Sequence, residues 1–130
     1  MTEQSRELIE QAKQARENAY ARYSGYKVGA ALLTASGEIF TGCNVENAAY
    51  GETICAERVA VTKAVSEGVN DFVAMAIVTS NAGSPCGSCR QVLNEFAPEL
   101  VLYLSDGEQL QGTYKVSELL PLSFDPSHLD

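Results

Sequence analysis

Residues 72–80, FVAMAIVTS, decide how this sequence folds. The run Phe72 to Val78 is apolar without interruption. A strand with one wet face alternates, so an unbroken run predicts a central strand covered on both sides. Downstream, SPCGSCRQVLNEF (84–96) opens a helix that Pro98 stops. LVLYLS (100–105), a turn at Asp106-Gly107 and LQGTYKV (110–116) add two strands, and SELLP forms a short helix before the tail. Upstream, ICAERVAVTKAVSEG (54–68) is a helix apolar nearly all round, which implies burial between layers. Gly68 stands where a C-terminal cap is expected. VGAALLT (28–34) and EIFTGC (38–43) are strands joined by Ala35-Ser36-Gly37, with the loop NVENAAYGET after them. Residues 3–21 space Leu8, Ile9, Ala12, Ala15 and Ala19 as one face of an amphipathic helix, which YSGY breaks. Strands alternating with helices predict an α/β fold, a three-layer α/β/α sandwich on a mixed sheet of about five strands. This pattern leaves strand order open.

The 130 residues are 45% hydrophobic and carry no repeat or linker, so 1–130 reads as one domain with one core. Acidic side chains outnumber basic ones 17 to 9, a net charge of −8. Without a run of Lys or Arg, such a surface repels phosphate backbones, so a small neutral or cationic substrate suits it better than a nucleic acid polymer. The polar N-terminus has no hydrophobic core of signal-peptide type, and no stretch approaches the length of a membrane span. The expected compartment is therefore the cytoplasm, where thiols stay reduced and clustered cysteines serve metals or catalysis. The single histidine, His128, is expected to be a solvated tail residue, which removes Ser-His-Asp and Cys-His mechanisms.

Ser84-Pro85-Cys86-Gly87-Ser88-Cys89 reads as a helix start, with Ser84 the N-cap and Pro85 the first helical residue. Cys86 then takes the second helical position, and Cys89 follows one turn later on the same face. Free N–H groups at a helix mouth stabilise thiolates. A Cys-x-x-Cys box alone fits a redox dithiol, half a metal site or two buried side chains. A tetrahedral metal needs more, and Cys55 also opens a helix, with Thr53 nearby as a possible cap. Glu57 is two residues on, about 200° round the helix, too far to share the metal but able to overhang an open ligand position. Cys55, Cys86 and Cys89 on Zn²⁺ with one open position is the pattern of a catalytic site. Zinc there makes hydroxide available near neutral pH, and Glu57 would shuttle protons. Three thiolates leave a net −1, so donors to sulfur are expected from the helix N-termini and from Arg58 or Arg90. A ligand-x-Glu followed by Pro-Cys-x-x-Cys is the zinc nucleobase deaminase signature. A redox dithiol leaves Cys55-Ala56-Glu57 unexplained.

Over nearly its whole length the sequence resembles the small, homotetrameric, zinc-dependent cytidine deaminases. YSGYKVGAALL (23–33), GCNVENAAYGETICAER (42–58), SPCGSCRQVLNEF (84–96) and ELLPLSF (118–124) carry the resemblance. It implies hydrolytic deamination of free cytidine and deoxycytidine to uridine and deoxyuridine with release of ammonia, in pyrimidine salvage. Zn²⁺, one per subunit, would be held by Cys55, Cys86 and Cys89, with hydroxide attacking C4 and Glu57 as the catalytic proton shuttle. The resemblance also implies that Asn44 and Glu46 bind the ribose and that Ala56 contacts substrate. Arg58 would donate to ligand sulfurs, and Tyr50 and Phe124 would complete sites across subunit contacts. Tyr26 stands where the family usually has a Phe that stacks on the pyrimidine, and Arg22 where it has Pro.

Other readings stand beside this one. Cys43 reads as a buried small hydrophobe; as a fourth ligand it would instead close a structural zinc module of four cysteines. From the chain alone Asn44 and Glu46 are turn residues and Arg58 a surface ion-pair partner. Tyr20 reads as a core or staple aromatic. A second enzymatic reading is deamination of another cytosine nucleoside, such as blasticidin S.

Overall fold

The computed structural model describes residues 1–129. Helix α1 (Glu3–Arg16) precedes a hairpin of β1 (Gly29–Thr34) and β2 (Ile39–Cys43). Helix α2 (Ala56–Ser66), β3 (Phe72–Val78), α3 (Gly87–Phe96), β4 (Val101–Ser105), β5 (Leu110–Lys115) and a short α4 (Val116–Leu119) follow. Single 3₁₀ turns lie at Tyr50–Glu52 and Pro126–Leu129. The five strands form one mixed sheet in the order β2-β1-β3-β4-β5, with only the β3–β4 pair parallel.

As the unbroken apolar run implies, β3 is the middle strand and is buried on both faces except at Val73. On one side, Leu8, Ile9 and Ala12 of α1 pack against Ala31, Ala74, Ala76 and Val78. On the other, α2 and α3 cover Ala30, Leu32, Met75, Ile77 and Leu102. Two glycines set how closely these layers approach. A Cβ on Gly29 would lie 2.0 Å from the Ala12 carbonyl oxygen, and one on Gly42 would lie 2.5 Å from that of Ala56. Helix backbones therefore rest directly on strands β1 and β2, on opposite faces.

Several expectations shift. α1 begins at Thr2, whose side chain accepts from the Ser5 N–H, and ends at Arg16, so Ala19 lies outside it. α2 buries one face, made of Ala56, Glu57, Ala60, Val61 and Ala64, while Val65 is exposed. The three alanines let the helix lie close to the sheet, and no layer lies over its outer side among the described residues. Gly68 has φ +86°, as a C-terminal cap requires. Tyr20 is 48% exposed and joins the fold through its backbone, which exchanges hydrogen bonds with Asn44 and Glu46. No described helix is long and apolar enough to cross a membrane.

Candidate active site

β2 and β3 both run antiparallel to β1, so they point the same way, and the helix that follows each starts at the same end of the sheet. Cys55 is the N-cap of α2 and Cys86 the N-cap of α3, both with extended backbone. This differs from the start read at Ser84. Ser84 instead accepts from Arg90 Nη2 at 3.0 Å, and Thr53 accepts from the Asn47 N–H rather than capping α2. Neither cysteine makes a side-chain capping bond, so first-turn N–H groups of both helices remain available to charge on sulfur.

The Sγ atoms of Cys55, Cys86 and Cys89 lie within 4.8 Å of one another, with Cys55 and Cys86 3.9 Å apart. Tetrahedral zinc with Zn–S bonds of about 2.3 Å spaces its sulfurs about 3.8 Å apart, so this donor set fits the ion. Arg58 Nη2 donates to Cys55 Sγ at 3.6 Å and to the Thr53 carbonyl at 3.3 Å, while its Nε is buried with no hydrogen-bond partner among the described residues. Arg90 does not reach sulfur. Its guanidinium binds the carbonyls of Pro85 and Leu119 and the Ser84 hydroxyl, tying the loop before Cys86 to the end of α4. Cys43 is half-buried and outside the sulfur cluster.

The electrostatics follow from this crowding. Hydrogen bonds from the Cys89 thiol and from Arg58 bring Cys55 down to about 5 against its burial. Cys89 is pushed up, because it donates to Cys55 and lies buried beside that charge and Glu57. The proton of Cys55 leaves easily and that of Cys89 is held back, a state that a bound dication relieves. Glu57 is 5% exposed. Burial pushes its carboxyl up to about 7, the Cys55 charge adds to this, and Arg58 and the Cys89 thiol oppose it. A buried carboxyl poised near neutrality suits proton transfer.

Glu57, Ala56, Cys55 and Cys86 border a cleft of about 290 Å³ that Tyr26, Asn44 and Glu46 also line. Asn44 is buried and bound at both ends of its amide: Oδ1 accepts from the Val28 N–H at 2.9 Å, and Nδ2 donates to the Tyr26 carbonyl at 2.8 Å. One hydrogen on Nδ2 and one lone pair on Oδ1 stay free. Glu46 accepts from the N–H groups of Tyr23 and Ser24 and from the Ser24 hydroxyl. The Ser24 donors, with Tyr23, hold this carboxylate below its usual range. Turn residue and pocket wall are thus one role for this pair. Tyr50, 76% exposed, borders a hollow beside the cleft. Phe124 does not line the cleft; its ring stacks on His128 and its carbonyl accepts from Gln91. His128 also pairs with Asp125 at 3.3 Å, so it is less free than a solvated tail residue. Sequence reasoning missed Thr79, Asn81 and Gly83 on the loop after β3, since no local spacing marks a contact made across the cleft.

Comparison with known proteins agrees with this geometry. Residues 2–105 match the family model described as the cytidine and deoxycytidylate deaminase zinc-binding region. A cytidine deaminase of Sporosarcina psychrophila is 48% identical over 128 residues, covering 94% of this chain and 92% of the relative. One from Halalkalibacterium halodurans is 51% identical over 123 residues, covering 90% and 91%. The crystal structure of cytidine deaminase from Burkholderia pseudomallei superposes with a TM-score of 0.87 at 46% identity, covering 95% of this chain and all of that one. With a converging sulfur cluster, a buried carboxyl beside it and a fold shared along nearly the whole chain, this protein belongs to the cytidine and deoxycytidylate deaminase family.

Proposed function

We propose that this protein hydrolyses free cytidine and deoxycytidine to uridine and deoxyuridine, releasing ammonia. The observation that carries the reading is a buried glutamate, poised near neutrality, against three converging cysteine sulfurs at the wall of an open cleft. Cys55, Cys86 and Cys89 would hold Zn²⁺, which when bound polarises and acidifies water. Glu57 takes one proton from the attacking water and delivers it to the pyrimidine ring nitrogen as the C4–O bond forms. It then takes the second proton from that oxygen and passes it to the amine, which leaves as ammonia when the C4–N bond breaks. Burial raises the proton affinity of Glu57, which suits it to carry a proton in both directions. Arg58 donates to the Cys55 sulfur and offsets part of the negative charge of three thiolates. Tyr26 offers a ring face to the base. The free valences of Asn44, with Glu46, take the ribose hydroxyls, and Ala56 lies in the wall beside them.

The whole chain acts as one catalytic domain in the cytoplasm. Four free cysteines support that compartment, since reduced thiols persist there. Exposed Tyr50, Leu122 and Phe124 support a homotetramer in which these side chains meet neighbouring subunits. The test is absorbance-monitored turnover of cytidine, deoxycytidine and blasticidin S, with zinc measured on the same sample. Expected is turnover of both cytidines at about one zinc per chain. Zinc without turnover of any nucleoside would overturn the reading, and turnover of blasticidin S alone would reassign the substrate.

A further inference from the structure

The loop between β3 and α3 ends in Cys86 and is held by a chain of side-chain bonds that crosses the cleft. The Tyr26 hydroxyl donates to Asn81 Oδ1 at 2.8 Å. Thr79 Oγ1 donates to the same oxygen at 3.2 Å and accepts from the Gly83 N–H at 2.8 Å. Between these anchors Ala82 has φ +57°, a left-handed conformation that a residue with a Cβ adopts at a cost. A Cβ on Gly83 would come within 2.6 Å of the Tyr26 hydroxyl, so that oxygen sits directly over the glycine. On the other wall, the Tyr26 N–H donates to Ser24 Oγ and its carbonyl accepts from Asn44. The ring is therefore fixed at both ends: by its own backbone to the Asn44–Glu46 side, and by its hydroxyl to the loop that leads to the cysteine.

We propose that Asn81 is a positioning residue of the active site: through the Tyr26 hydroxyl it latches the 79–85 loop to the opposite wall of the cleft and sets the ring that meets the pyrimidine. The hydroxyl that distinguishes Tyr26 from Phe is the latch, and Gly83 is the space that admits it. A phenylalanine would leave the loop held by Thr79 and, at Ser84 and Pro85, by Arg90, without this bond to the opposite wall. The inference rests on the proposed nucleoside site for its kinetic consequence, but the latch itself is a property of the fold.

A double-variant cycle on the zinc-loaded protein tests it. Asn81→Ala and Tyr26→Phe are each expected to lower kcat/KM for cytidine roughly 2- to 12-fold, the worth of one hydrogen bond, mainly through KM. The double variant is expected to be no worse than the poorer single one, because both remove the same bond. Asn81→Asp keeps both acceptor positions and is expected to hold KM near wild type. Gly83→Ala is expected to harm the wild-type background more than the Tyr26→Phe background, where the clashing oxygen is gone. Multiplicative losses in the double variant, a KM untouched by Asn81→Ala, or equal harm from Gly83→Ala in both backgrounds would overturn the proposal. The same cycle read in melting temperature separates it from the function. If wild-type protein turns over no nucleoside while the melting temperatures still couple, the latch stands and the proposed substrate falls. If turnover is normal and neither readout couples, the latch falls alone.

Discussion

Glu57→Gln separates what this carboxyl does for chemistry from what it does to the fold. The substitution keeps size and shape and removes the titrating proton. If Glu57 moves protons between water and the base, turnover of cytidine falls by about 10²- to 10⁴-fold, the usual range for a positioned acid–base group. Zinc content is expected to stay at the wild-type level, since Cys55, Cys86 and Cys89 are untouched. Stability is expected to move the other way. In the metal-free protein the folded state holds the Glu57 proton up to about 7, against 4.5 ordinarily. The folded chain thus binds that proton more tightly than the unfolded chain, and wild-type stability is full below pH 4.5 and declines as pH rises through 7. The gap corresponds to about 3 kcal/mol. Glutamine carries no such penalty. For a chain of this length that difference is roughly 10 °C in Tm. Metal-free Glu57→Gln should therefore melt well above wild type at about pH 8 and beside it near pH 4. Calorimetry at the two pH values, cytidine absorbance and metal analysis give the three readouts. More than about a tenth of wild-type turnover in the zinc-loaded variant would refute the acid–base role. A melting difference independent of pH would refute the burial argument.

Arg58→Gln removes the donor to Cys55 Sγ and is expected to weaken zinc about 10- to 100-fold, measured by competition with a chelator; unchanged affinity would remove Arg58 from the site. Cys43→Ala is expected to retain both zinc and turnover, because Cys43 stands apart from the sulfur cluster. Loss of the metal would instead favour a closed four-cysteine site. Gly42→Ala drives a Cβ to 2.5 Å from the Ala56 carbonyl and 2.7 Å from the Ala60 nitrogen, both backbone atoms that cannot swing away. Overpacking of this kind costs about 1–3 kcal/mol, a Tm drop of roughly 4–11 °C. Turnover should fall with it, because α2 carries Glu57. An unchanged Tm would mean that α2 does not rest on β2 as described.

What could be read from the sequence was local. The unbroken run at 72–78 marks the middle strand because burial on both faces acts residue by residue. Pro98 and Gly68 mark helix ends through their own backbone chemistry. Cys-x-x-Cys and Cys-Ala-Glu identify their cysteines because ligands on one helix turn are fixed by its pitch. Strand order was not legible, since inserting β1 between β2 and β3 depends on pairings between distant segments. Helix starts were misjudged for a related reason. Ser84 has the chemistry of a cap, but its hydroxyl and the Pro85 carbonyl accept from Arg90, and Cys86 takes the N-cap position instead. Arg90 itself looked like a partner for sulfur because it follows Cys89, yet its length carries the guanidinium back to the loop. Asn81 had no local signature, because its bond partner Tyr26 lies on the far side of the cleft.

The site also occupies positions that a sequence selected for stability alone would fill differently. Serine, aspartate or asparagine at the two N-caps would satisfy first-turn N–H groups that cysteine leaves open. A carboxyl buried to 5% exposure and an Arg58 Nε with no hydrogen-bond partner among the described residues are each costly in an interior. These costs lie within two helix starts that the topology sets side by side, and each is reduced by one cation among the sulfurs, with one exception. The first-turn N–H groups would then face thiolate charge, and Cys89 would give up the proton it otherwise holds back. Arg58 gains permanent thiolate charge beside its guanidinium. Glu57 is the exception: its carboxyl is not one of the three groups that would hold the ion, and it is buried. That remaining cost is the feature the proposed proton shuttle would use, so the residue that Glu57→Gln tests for catalysis is also one that the fold buries at a penalty.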